Sequence, residues 1–103
     1  MKWQSRYLTG LAVRLKLAPK QHMAIVASIG CVICRRDTGQ IVPCEVHHVA
    51  EGSGPRSDYM TAGLCLDHHR GGLGVHGLGV RAFLRMHRLG SEFELIGLVN
   101  QYR

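Results

Sequence analysis

The sequence lacks long apolar runs and is poor in acidic and aromatic residues. It has 7 Asp or Glu against 13 Lys or Arg, and its aromatic residues are one Trp, three Tyr and two Phe. No stretch approaches the roughly 20 apolar residues that a membrane helix needs. Arg14 and Lys16 interrupt the segment that would form the apolar core of a secretory signal. We therefore expect neither a membrane span nor secretion, and we expect a cytoplasmic protein.

Few aromatic residues leave a small chain with a thin core. At 103 residues, 46% hydrophobic and 19% charged, the chain is expected to fold as one domain. A domain of this size buries only about two thirds of its unfolded surface, so a further source of stability is expected. Four cysteines without a secretion signal favour metal ligands over disulfides.

Apolar periodicity and turn residues predict a mixture of helices and strands. Residues 1–17 fit both a helix and a strand, whereas Pro19 and Gly30 are typical of the ends of a helix near 19–29. The glycines of 71–79 let the backbone approach a ligand or fold back on a metal site. The other predicted elements are turns at 31–34 and 37–39, a strand at 41–50, a loop at 51–58, a short strand at 59–65, a helix or turn entered at 66–70, a helix from Val80 to Gly90, and a helix after the Ser91 capping box.

Two half-sites with metal-ligand spacing stand thirty residues apart. Cys31-x-x-Cys34 presents two thiols at one turn, and Cys65-x-x-His68 repeats the spacing with an imidazole as its last ligand. Together they predict a structural zinc site with three Cys and one His. The alternative is that the thiols are buried as small apolar groups, which is the role that we expect for Cys44.

A second cluster, made of imidazoles, is predicted beside this zinc site. His47 and His48 stand together on the predicted strand, and the ring of His69 can point back toward them. Two such groups can hold a divalent cation while a third takes a proton from water, which is an arrangement for metal-assisted hydrolysis. The alternative is that all the histidines serve one zinc or are solvated.

The order of these motifs resembles the HNH, or ββα-metal, nucleases that carry a zinc knuckle. More closely, four segments resemble the phage Ref family of recombination-enhancement, RecA-dependent nucleases: 29–34, 46–49, 64–69 and 74–77, within coverage from about 19 to 100. The resemblance implies an α+β fold, in which a zinc-stabilised ββα-metal domain with flanking helices spans 19–103 and follows a basic arm at 1–18.

The resemblance also implies roles for individual residues. His47 and His69 would hold the catalytic Mg²⁺ or Mn²⁺, and His48 would be the general base. Structural zinc would be held by Cys31, Cys34, Cys65 and His68. The sequence departs from the common pattern in two ways. It has no clear Asn at the middle position that normally buttresses the base, and it has an extra histidine, His76, which can exchange roles with His69.

The function implied is metal-dependent hydrolysis of DNA phosphodiester bonds, directed by RecA filaments in phage or host recombination. A net charge of +6 fits a polyanionic substrate. The predicted DNA contacts are Arg56, Arg70, Lys16 and Lys20, whereas Arg81, Arg85 and Arg88 form either a phosphate-binding stripe or a solvated helix face. Two other functions stay open: a non-catalytic zinc module that binds nucleic acid or protein, and a restriction-like or junction-cleaving HNH enzyme.

Overall fold

The computed structural model describes residues 17–49 and 56–103, where helices surround one antiparallel hairpin. This is a small mixed helix and strand domain. Residues 1–16, for which both a helix and a strand are predicted, and residues 51–55 of the predicted loop lie outside the described residues. The elements are α1 (Pro19–Ile29), α2 (Val32–Thr38), β1 (Glu45–His48), β2 (Thr61–Leu64), α3 (Leu66–His69), α4 (Val75–Leu78), α5 (Val80–Met86) and α6 (Phe93–Tyr102).

The hairpin lies at the centre of the described structure. Glu45 pairs with Leu64 at one end of the register, and His48 pairs with Thr61 at the other. All four residues of β2 are buried, because α1 and α6 pack against this strand. β1 is only partly covered, and of its four residues only His47 is buried. The chain enters α3 directly after β2, so the helix is held close to the strand that carries the paired histidines.

Helix α1 confirms the prediction made from its terminal residues. Pro19 stands in its first turn, and Gly30 ends it with a φ of 82°. The buried positions, His22, Val26 and Ile29, recur at helical spacing and face the hairpin. No helix in the described ranges has the length and the hydropathy that a membrane span requires.

Three predicted elements differ from those in the structure. The strand predicted at 41–50 is confined to Glu45–His48, since Pro43 cannot donate a ladder hydrogen bond and Ile41 is exposed. The predicted turn at 31–34 opens α2, for which Cys31 is the N-cap residue. The helix predicted to reach Gly90 ends at Met86. The sequence patterns predict roughly where these segments lie, whereas backbone hydrogen bonds determine the residues at which they begin and end.

A close backbone contact brings the first cysteine pair to the hairpin. A Cβ built on Gly63 would lie 2.4 Å from the carbonyl oxygen of Gly30 and 2.5 Å from Sγ of Cys44. Only glycine therefore lets β2 lie against the turn that leads into Cys31. The hydrogen bond from the N–H of Cys31 to the carbonyl of Val42 (3.0 Å) holds the same turn.

Adding one methyl group at Gly63 tests this contact. We expect Gly63→Ala to lower the free energy of unfolding by about 1–3 kcal/mol, because the backbone must shift to admit the new atom. Gly72→Ala is the matched control, since a Cβ there meets no atom within 4 Å. Urea unfolding followed by circular dichroism measures both. Equal free energies of unfolding in the two variants would show that the backbone around Gly63 can shift at no cost.

His22 is a buried titratable group outside the metal clusters. Its Nε2 lies 3.1 Å from the carbonyl oxygen of Tyr59, and its Nδ1 lies 2.8 Å from Nη1 of Arg103. Because a guanidinium only donates, Nδ1 must accept and Nε2–H must donate, so the ring is neutral. Burial, and then the charge of Arg103, lowers the pKa of His22 below its usual value of 6.5.

The lowered pKa of His22 determines the direction in which the stability of the folded protein changes with pH. Below a pH of about 6.5 the unfolded chain binds a proton at His22 that the folded protein resists, so stability falls as the pH falls. His22→Gln keeps one donor and one acceptor but does not titrate. We expect the urea midpoint to drop less between about pH 7.5 and about pH 5.5 in this variant than in the parent. Any acid sensitivity of the other groups is common to both proteins. Equal drops in the urea midpoint of the parent and of the variant would therefore contradict the lowered pKa of His22.

Candidate metal centres and active site

Two groups of side chains in the described ranges present possible ligand atoms within 4.8 Å of one another. The first contains Cys31, Cys34, Cys65 and His68. The second contains His47, His69 and His76. The structure thus brings together the four residues predicted for zinc, and it separates the neighbouring histidines 68 and 69 into different groups.

The first group has the dimensions of a tetrahedral zinc site. Nδ1 of His68 lies 3.4, 3.6 and 3.2 Å from the sulfur atoms of Cys31, Cys34 and Cys65, and the sulfur atoms of Cys34 and Cys65 are 3.9 Å apart. With Zn–S bonds of about 2.3 Å and Zn–N bonds of about 2.0–2.1 Å, a regular tetrahedron has S···N edges of about 3.6 Å and S···S edges of about 3.8 Å. The residues therefore fit a zinc ion.

The chemistry of the thiols agrees with this geometry. Burial, followed by the neighbouring thiols of Cys31 and Cys65, raises the pKa of Cys34 to about 12. Three adjacent thiolates repel one another unless a cation lies between them, and a divalent ion removes that penalty. Cys44 stays outside the group. Its thiol contacts the carbonyl of Ala27 at 3.6 Å and packs against the core, as the sequence predicted.

The second group is a set of three imidazoles from three elements. His47 lies on β1, His69 ends α3 and His76 stands in α4. The ring centroids of His69 and His76 are 4.7 Å apart, and each lies 5.2 Å from the centroid of His47. Partial burial, followed by the charges of His47 and His69, lowers the pKa of His76. A low pKa favours the neutral ring, which is the form that binds metals.

Carboxylates hold two of these rings. Oε2 of Glu92 lies 2.7 Å from Nε2 of His47, and Oε1 of Glu45 lies 2.9 Å from Nδ1 of His69. Because an ionised carboxylate only accepts, each of these nitrogens carries a proton, and in the neutral ring the other nitrogen is the one that can offer a lone pair. The hydrogen bond from His69, and then those from Arg70, lower the pKa of Glu45. Both rings thus keep one nitrogen suited to a cation.

His48 follows His47 on β1 but belongs to neither ligand group. Its Nε2 lies 2.8 Å from Oδ1 of Asp58, and its side chain is 28% exposed. The carboxylate accepts the Nε2 proton, so Nδ1 is the nitrogen at which the neutral ring could take a proton. Asp58 therefore holds the ring of His48 in one orientation.

The match to a known family agrees with this arrangement. A model of the family described as "Recombination enhancement, RecA-dependent nuclease" matches residues 17–95. The chain belongs to this family. The match confirms the resemblance to the Ref nucleases and covers the described members of both clusters. No curated protein and no solved structure matches the chain.

In this RecA-dependent nuclease, the residues predicted to bind DNA lie in different surroundings. Arg56 is exposed, and its charge contributes to the lowered pKa of His76. Arg70 is largely exposed, although its guanidinium donates to both carboxylate oxygens of Glu45. Lys20 is exposed in the first turn of α1, and Lys16 lies outside the described residues. Arg56 therefore lies close enough to the imidazole cluster for its charge to act on His76.

Three carboxylates of the site, those of Glu45, Asp58 and Glu92, were missed in the sequence. Glu45 had a local signal, since it stands two residues before His47 on a strand and so shares its face. Asp58 stands at the end of the predicted loop at 51–58, where nothing in the sequence indicates a contact with His48. Glu92 follows Ser91 in the predicted capping box, and nothing near it in the sequence indicates His47, which lies 45 residues away.

Removing zinc ligands tests the first cluster of this nuclease. We expect one tightly bound zinc per chain, and we expect Cys34→Ser and Cys65→Ser to lose it together with most of the helical signal. The apparent binding free energy of structural zinc is about 10–16 kcal/mol, which exceeds the stability of a small domain. Elemental analysis and circular dichroism measure the two effects.

Cys44→Ser is the matched control, since it removes a partly buried thiol from outside the cluster. It should keep its zinc. Full zinc content in Cys34→Ser, or equal loss in Cys44→Ser, would contradict the assignment.

Proposed function

We propose that this family member is a metal-dependent DNA endonuclease of the HNH type that hydrolyses phosphodiester bonds during RecA-dependent recombination. The observation that carries the proposal is the convergence of His47, His69 and His76, with His48 at the next position of the strand. A purely structural zinc module needs only the first cluster. The second cluster gives the domain the groups for hydrolysis.

The proposed ββα-metal unit is the hairpin β1–β2 with α3. His47 lies on its first strand and His69 on its helix, while the Cys and His ligands of the zinc knuckle bracket the hairpin. In this assignment, zinc has a structural role and the three imidazoles hold a second divalent cation. Because Mg²⁺ prefers oxygen ligands, a set of nitrogen ligands favours Mn²⁺ over Mg²⁺.

The bound cation would supply charge stabilisation at a phosphate oxygen and at the leaving oxygen. His48 is the proposed general base. Its Nε2 proton is held by Asp58, and its Nδ1 takes a proton from a water molecule. The water oxygen would bond to phosphorus as the bond from phosphorus to the 3′ oxygen breaks, and the leaving 3′ oxygen would take a proton from solvent. The products are a 5′-phosphate and a 3′-hydroxyl end.

Basic side chains would hold the DNA backbone. Arg56, Arg70 and Lys20 are exposed, and Lys16 is proposed with them from the sequence. Such contacts bind phosphates without reading the sequence and weaken as salt increases. The partnership with RecA filaments rests on the family to which the chain belongs.

The decisive experiment is a cleavage assay with variants of the proposed base and its partner. We expect the parent to cut single-stranded or supercoiled DNA with Mn²⁺ or Mg²⁺ when RecA and ATP are present. His48→Ala should lose about 10²–10⁴-fold in rate, the usual contribution of a general base. Asp58→Ala should lose less, because the base remains while its orientation is lost.

Elemental analysis and circular dichroism show that each variant keeps its zinc and its fold. A parent that binds DNA and one zinc but never cuts would favour the non-catalytic module. Cleavage without RecA would favour another kind of HNH enzyme. Full activity in a folded His48→Ala variant would remove this residue from the mechanism.

A further inference from the structure

A buried carboxylate reaches the imidazole cluster from the other end of the chain. Glu92 is only 5% exposed and immediately precedes α6, whereas His47 lies on β1. Burying a carboxylate is costly unless it is hydrogen-bonded or paired. Its Oε2 lies 2.7 Å from Nε2 of His47, and the two side chains are 6% and 4% exposed.

The start of helix α6 does not explain this carboxylate. Glu92 occupies the N-cap position, but its side chain makes no capping hydrogen bond. Glu94, in the first turn of the helix, makes different contacts, since its carboxylate accepts from the backbone N–H groups of Gly90 and Ser91 ahead of the helix. The two neighbouring glutamates therefore have different roles, and that of Glu92 is at the imidazole cluster.

The contact fixes which nitrogen of His47 can bind a cation. Since the carboxylate accepts the Nε2 proton, Nδ1 is the nitrogen that the neutral ring offers to a cation, and rotation of the ring would break a buried hydrogen bond. A carboxylate behind a metal-binding imidazole also increases the basicity of the ring. We infer that Glu92 is a positioning residue that orients His47 toward the cation of the proposed active site.

The packing of α6 makes this a rigid support. Leu95, Ile96 and Val99 are fully buried, and α6 packs against β2, α1 and α2. The hydrophobic core therefore fixes the position of Glu92 relative to β1. The corresponding contact of Glu45 with His69 is weaker support, because Glu45 is 38% exposed and shares its carboxylate with Arg70.

Mn²⁺ binding by the zinc-loaded chain tests the inference, which rests on the proposed function. Isothermal titration calorimetry should show Mn²⁺ binding about 10–100-fold weaker in Glu92→Ala than in the parent. Glu92→Gln should recover part of the loss, because its amide oxygen still accepts the proton but carries no charge. Glu94→Gln is the matched control on the same helix, and its Mn²⁺ affinity should equal that of the parent.

A second measurement separates positioning from general loss of structure. Nitrogen chemical shifts of His47, measured without Mn²⁺, should show the proton on Nε2 in the parent and a mixture of both tautomers in Glu92→Ala. Zinc content should stay at one per chain in every variant. An unchanged tautomer, or unchanged Mn²⁺ affinity in Glu92→Ala, would overturn the inference.

The His47→Ala variant distinguishes a failure of the positioning role of Glu92 from a failure of the proposed cation site. If the parent binds Mn²⁺ and His47→Ala does not, the cation site stands, and an unaffected Glu92→Ala variant refutes the positioning role alone. If the parent binds no cation besides zinc, or if His47→Ala binds Mn²⁺ as tightly as the parent, the proposed cation site is wrong and the inference falls with it.

Discussion

The placement of one four-residue helix sets the geometry of both candidate metal-binding clusters. His68 and His69 are adjacent in α3, and successive side chains of a helix point about 100° apart. This difference directs Nδ1 of His68 to the three thiols and the ring of His69 to the other imidazoles. A helix of one turn is not stable by itself, because nucleation costs more than its few hydrogen bonds return. The bonds from Cys65 and His68 to a zinc ion would hold it, so the knuckle would also position the second cluster.

Close backbone contacts complete the geometry that α3 begins. The carbonyl oxygen of Gly71 would lie 2.0 Å from a Cβ on Gly77, so the chain can fold tightly after α3 only because no side chain stands there. This fold brings α4 back to α3 and sets His76 beside His69. The sequence analysis expected such folding back from the glycines of 71–79, but it did not predict α4.

The features that can be predicted from the sequence depend on residues that lie close together in the chain. The ends of α1 follow from Pro19 and Gly30, and the two half-sites follow from ligands three residues apart. The alternatives for His69 and His76 could not be separated from spacing, because the answer depends on how α3 and α4 are rotated about their axes. The contact between Glu92 and His47 is still further from prediction, since tertiary packing of α6 alone brings these residues together. Likewise, β1 is shorter than its β-branched residues indicate, because a strand extends only as far as its partner offers hydrogen bonds.

Several of the few acidic residues of the chain lie at the candidate site. The chain has 7 Asp or Glu, and three of them, Glu45, Asp58 and Glu92, each contact an imidazole. A free carboxylate near the cluster would repel a phosphate backbone. Here Glu92 is buried against His47, while the charge of Glu45 is offset by Arg70. Of these three carboxylates, Glu45 is the one whose charge a guanidinium offsets, and the exposed Arg56 adds positive charge close enough to act on His76. Under the proposed function, the pairing of Glu45 with Arg70 lets the site orient the ring of His69 without presenting an unpaired carboxylate to the DNA backbone.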